Sequence, residues 1–128
     1  MLATLEMKKL LDESQLSEVQ RVYTSNLPKE EQDNVDETIV LITDANSELG
    51  LSGNNTFHLV RRQVEIQIFY KLDIDFDIDS FEVRLMKLLK SNHWSILDIR
   101  GRTVDPDTLQ MTSVIYAEQT KILTQGEN

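Results

Sequence analysis

The stretch RRQVEIQIFYKL, from Arg61 to Leu72, decides how the rest of the chain is read. Val64, Ile66, Ile68, Tyr70 and Leu72 fall on one side of an extended backbone, and Gln63, Glu65, Gln67, Phe69 and Lys71 fall on the other. Side chains alternate across a strand, so this period of two predicts one buried face and one wetter face. β-branched and aromatic residues favour the same geometry. Phe69 is the odd apolar residue on the wetter side, so either a helix of the same chain or another subunit is expected to cover it.

Upstream of this strand, DANSELGLSGNN, from Asp44 to Asn55, holds two of the four glycines of the chain and three asparagines, and it reads as a long loop. Loops of that length are often functional, so it is a candidate partner-contacting arm. Before it, Glu37–Thr43 (ETIVLIT) has four consecutive apolar residues, Ile39 to Ile42, as expected of a strand covered on both faces. If it pairs with Arg61–Leu72, the two form an antiparallel hairpin with the loop at its tip. Arg21–Ser25 (RVYTS) is a further strand, closed by Asn26-Leu27-Pro28. Lys29–Asp36 is a polar surface connection. The N-terminal segment predicts a short helix capped by Thr4, with Leu5, Leu10 and Leu11 as its apolar side, an interruption at Asp12-Glu13-Ser14, and then a second helical piece or a continuation through Leu16 and Val19.

Downstream, Phe81, Leu85, Leu88 and Leu89 make a helical stripe over Ser80–Lys90. Asp79-Ser80-Phe81-Glu82 reads as a capping box, with Asp79 as cap and Glu82 folding back, and Asn92 is suited to a left-handed stop. Trp94–Arg100 is a strand with broken alternation, from a bulge or from burial on two sides. Trp94 itself is expected in the core. Gly101 and Asp105-Pro106-Asp107 mark turns, Leu109–Leu123 is β-prone, and residues 124–128 form a frayed tail. The expected architecture is one domain of the α+β class: a mainly antiparallel sheet of about four to five strands with two helices packed on it.

The chain has 128 residues, enough for its own core, and no cysteine, so it carries no disulfide framework, thiolate metal site or cysteine nucleophile. Its net charge of −9, from 22 acidic and 13 basic side chains, argues against a general grip on nucleic acid. An acidic balance is usually no more than what keeps a domain soluble; the sharper reading is a surface that repels phosphate and lets DNA pass without holding it. No apolar run reaches signal-peptide length or the roughly 18 residues of a membrane span, so no membrane association is expected.

The alternating acids of Leu72–Asp79 (LDIDFDID) look like a calcium loop, but registers from Asp73 or Asp75 put Ile78 or Ser80 where the glycine belongs and Arg84 or Met86 where the closing acid belongs. His58 and His93 have no second ligand at helical spacing, and neither a nucleophile-elbow serine nor a phosphate loop occurs. No enzyme, metal or cofactor is expected from this inventory.

The segments RVYTSNLPKEEQ (21–32), TIVLITDA (38–45), GNNTFHLVRRQVEIQIFYKL (53–72), SFEVRLMKLLKSNHWSI (80–96) and DPDTLQMT (105–112) together resemble an uncharacterised family encoded in the structural modules of siphophages and prophages of Gram-positive bacteria. Genes of that family sit between head–tail connector genes and the major tail protein gene. The resemblance implies a late virion structural protein, a tail terminator with the α+β fold of such proteins. It would act as a homo-oligomer, a hexameric ring that caps the tail tube and joins it to the head connector, with DNA only as passing cargo. A head–tail connector or stopper component is the alternative, and a small cytosolic regulatory or binding domain is a third reading. Assembled in the host cytoplasm, the ring would reside at the tail and neck of the virion. The interface residues expected on this view are Ser47, Glu48, Leu49, Leu51, Asn54 and Asn55 in the loop, with Glu65, Gln67 and Phe69 on the wetter strand face.

Overall fold

A computed structural model describes residues 2–51 and 57–124; backbone alone is described for 46–51, 57–59 and 121–124. The elements are helix α1 (Ala3–Ser14), strand β1 (Arg21–Thr24), a single 3-10 turn (Lys29–Glu31), strands β2 (Ile39–Leu51) and β3 (Phe57–Phe69), helix α2 (Ile78–Ser91), and strands β4 (Ser95–Val104) and β5 (Met111–Thr124). This is the expected α+β fold, a five-stranded sheet with two helices. The strand order is β1-β2-β3-β5-β4, so the opening stretch lies at the centre of the sheet.

Val64, Ile66, Ile68 and Tyr70 are fully buried, as their alternation predicts. They join Val40, Ile42, Ile115 and Ala117 in one core cluster with Met7 and Leu11 of α1 and Phe81, Leu85 and Leu89 of α2. Tyr70, Phe76 and Phe81 pack edge-on or tilted, at centroid distances of 5.6–6.1 Å. Ile39, Val40 and Ile42 are buried but Leu41 is only half-buried, so the continuous apolar run marks a strand deep in the sheet and not one covered along the whole of both faces. Trp94 is buried in the same cluster. The broken alternation after it is a bulge between Ile96 and Asp98.

Several local expectations are corrected. The largest concerns Asp44–Asn55: β2 continues to Leu51, and only residues 52–56 separate it from β3, outside the described residues. Ladder bonding to β3 holds this glycine- and asparagine-containing segment extended, against its own weak β-propensity, with one bulge between Asp44 and Asn46. The sheet is mainly antiparallel, as expected, with one parallel pair. β1 runs parallel to β2 over Arg21–Thr24, while every other pair is antiparallel.

At the N-terminus Leu2, not Thr4, holds the cap position, and α1 buries Ala3, Thr4, Met7 and Leu11 while Leu5 is exposed. Leu16 and Val19 pack on the core from a turn, because Gln15 has already turned left-handed (φ 50°) and ended the helix. Asp77, not Asp79, caps α2, accepting from Asp79 N–H at 3.1 Å and Ser80 Oγ at 3.2 Å. Asn92 stops α2 with φ −111°, and the left-handed residue is His93. Leu72 lies past the end of β3 and is exposed. Gly101 sits inside β4, and the turn falls at Asp105, whose Oδ1 accepts from the N–H groups of Asp107 (2.8 Å) and Thr108 (3.3 Å).

Candidate interaction surface

Two polar features and one backbone feature stand out on this frame. The first is Glu82, on the inner side of α2. Its carboxylate accepts from Tyr70 OH and Ser113 Oγ, both at 2.5 Å, and from Arg102 Nη2 at 2.8 Å. Arg102 also pairs with Asp79. Burial alone would raise the Glu82 carboxyl, but the hydrogen bonds from Arg102, Ser113 and Tyr70 outweigh it and hold it below the usual range. Burial, then the bond to Glu82, pushes the Tyr70 phenol up. A carboxylate with three donors around it, in contact with no base or nucleophile-activating group, is a clamp between α2, β3, β4 and β5 rather than a reaction centre. The capping-box reading missed it. The available signal was spacing: position 82 precedes Leu85 and Leu89 by three and seven residues, on the inward stripe.

The second feature is the outer sheet face, opposite the helices. Tyr116 OH donates to Glu65 at 2.6 Å, and Arg100 stacks over the Tyr116 ring at 5.3 Å. The bond to the Glu65 carboxylate raises the Tyr116 phenol. Gln67 lies in the adjoining row, between Leu41 and Val114. Glu65, Gln67 and Phe69 are each half-buried on this face. Phe69 borders a cavity of about 150 Å³ shared with Leu27, Glu31, Asn34 and Gln110 of the same chain. Its neighbours around this cavity come from the β1–β2 and β4–β5 connections, and neither α1 nor α2 contributes to the lining.

A cleft of about 210 Å³ between the end of α1 and α2 is lined by Leu11, Leu16, Val19, Val22, Phe81 and Leu85. Of the polar groups at its rim, Gln20 is already engaged, its Oε1 accepting from Thr38 N–H at 2.8 Å. That lining offers apolar contact without convergent reactive groups. Among the described residues no group of three or more His, Cys, Asp or Glu could hold a metal ion, and no helix is long and apolar enough to cross a membrane.

The backbone feature is an arm. Among the residues whose burial is described, the last buried ones toward this end are Val64 of β3 and Ala117 of β5, and β2, β3 and β5 continue together beyond them. Successive rows are Ser47–Arg62–Gln119, Glu48–Arg61–Thr120, Leu49–Val60–Lys121, Gly50–Leu59–Ile122 and Leu51–His58–Leu123. Six residues of extended chain reach about 20 Å. Arg62 ties the base of the arm to the body, donating to Glu6 of α1 and to Gln119 of β5. The outer strands stop short of the arm. β1 pairs with β2 only as far as Ile42, and β4 pairs with β5 only as far as Glu118. Among the described residues, therefore, no strand pairs with the outer edge of β2 from Thr43 to Leu51, or with the outer edge of β5 from Gln119 to Thr124.

Of the residues expected at an interface, Ser47, Glu48, Leu49 and Leu51 lie on the arm as strand, not loop, while Asn54 and Asn55 lie outside the described residues. Glu65 and Gln67 lie on the outer face of the body, so the structure does not gather all the candidates into one patch.

The chain matches, over residues 2–123, the model of a family described as "Protein of unknown function (DUF806)", and it belongs to that family. No curated protein matches it.

Proposed function

We propose that this protein is a structural component of a phage virion, a tail terminator that caps the tail tube and presents a docking surface to the head connector. The observation that carries the reading is the three-stranded arm. It extends the sheet past both outer strands and, among the described residues, leaves long backbone edges unpaired, which a self-sufficient small enzyme or binding domain has no physical need to do. Segments spread over the chain resemble proteins from phage structural modules, which supports the same reading. The net charge of −9 supports a conduit that DNA passes without being held.

On this reading the protein is not an enzyme and needs no cofactor. Its partners are further copies of itself in a ring of six, the major tail protein below and the connector above. A terminator works by occupying the end of the tube, so its contacts must outcompete addition of another tail subunit; an extended sheet edge supplies many backbone hydrogen bonds at once.

Deleting the gene from the genome that encodes it tests this. Free heads with overlong, uncapped tails are expected in electron micrographs. Finished tails of normal length that lack heads would move the protein to the connector side. Intact virions would remove it from the particle altogether.

A further inference from the structure

The two unpaired edges of the arm have a relation to one another that points to a specific partner. β2 and β5 are each antiparallel to β3, so they run in the same direction. Their free edges lie on opposite sides of the same three-stranded ribbon, over Thr43–Leu51 and Gln119–Thr124. We infer that the outer edge of β2 in one copy pairs, in parallel, with the outer edge of β5 in the next copy, so that the arms of successive subunits join into one continuous sheet.

The occupant is a second copy of this chain because only that choice satisfies both edges. A foreign strand added to β2 leaves β5 open, and one added to β5 leaves β2 open. When the arms repeat by rotation about an axis along their length, every β2 edge meets a β5 edge of matching direction. That is a heterologous interface, which closes without leftover edges when the rotation divides a full turn. The two other self-pairings, β2 with β2 or β5 with β5, would be two-fold and antiparallel. They end at a dimer whose remaining pair of edges stays open.

This inference deepens the ring proposed above but stands apart from its place in a virion, since it concerns purified protein alone. The chain has no cysteine, so introduced thiols report without background. Ser47→Cys marks the β2 edge and Thr120→Cys the β5 edge, with Asn46→Cys and Glu48→Cys covering neighbouring registers. Lys87→Cys on α2 is the control. Each variant is first checked for native circular dichroism, then concentrated under mild oxidation and run on a non-reducing gel.

The expected result is a disulfide-linked dimer when a β2 variant is mixed with Thr120→Cys, at least about tenfold above either alone. A chain carrying both cysteines should give a ladder that converges on one closed species. Dimers from a single variant alone would assign a two-fold pairing and overturn the inference. It is overturned equally if no β2 register cross-links to Thr120→Cys above the Lys87→Cys background. Loss of the terminator phenotype with cross-linking intact would sink the virion role and leave this interface standing.

Discussion

One strand, β3, passes through two different environments, and the contrast between its halves organises the molecule. From Val64 to Phe69 it is clamped on one face by both helices, with every inward side chain buried and a carboxylate clamp at Tyr70 just past its end. From Phe57 to Arg62 it is held edgewise by β2 and β5 in an arm that outruns both outer strands of the sheet. The first half contains what a stable domain requires. The second adds backbone edges that the isolated chain leaves unpaired, and it is where assembly is expected to act. On the proposed reading, stability and assembly are separable along a single strand, and mutations on the two sides of Val64 should report different things.

The largest expected effect is in the buried half. Phe81→Ala removes a ring fully enclosed by Tyr70, Phe76 and the α2 stripe, and should cost about 3–5 kcal/mol by urea denaturation. Equal loss from truncating an arm residue would break the comparison. Next comes the clamp. Glu82→Ala leaves Tyr70 and Ser113 without their shared acceptor and Arg102 with Asp79 alone, a loss of about 2–3 kcal/mol once the partial exposure of Arg102 is allowed for.

The clamp also sets limits in pH. The Glu82 carboxyl is depressed in the folded protein, so its contribution is complete above the ordinary carboxyl value of 4.5 and is lost as pH falls through the lower folded value. Tyr70 is raised, so its contribution is complete below the ordinary phenol value of 10.0 and declines as pH rises beyond it. Glu82→Gln should therefore flatten the acid limb of a stability–pH profile; an unchanged limb would show that Glu18, also depressed by its bond from Arg84, carries it instead.

The smallest expected effect on stability lies in the arm. Shortening it by deleting residues 47–53 touches no residue of the core cluster and should move the unfolding free energy by less than about 1 kcal/mol.

The buried half was the legible half. The alternation of Val64 to Tyr70, the run Ile39–Ile42 and the stripe Phe81–Leu85–Leu89 carry periodicities that local reading detects. The arm was not legible as strand, because Asp44-Ala45-Asn46-Ser47 and Gly50 have turn composition, and their extension depends on β3, which follows later in the chain. The parallel orientation of β1 was hidden for a similar reason: only tertiary packing brings Arg21–Thr24 alongside Ile39–Ile42. Glu82 was misassigned because a charged residue three positions after an aspartate satisfies a capping pattern, while its inward position emerges only from the stripe around it. Of the interface candidates, the arm positions were found for loop-like reasons and stand on a strand edge instead.

The measurement that bears most directly on this division is electron microscopy of particles assembled from the chain lacking residues 47–53, with the purified variant confirmed to unfold as cooperatively as the parent. The expected result is a folded protein that fails to terminate tails, giving free heads and overlong tubes. Joined virions with tails of normal length, made by a variant without the arm tip, would contradict it.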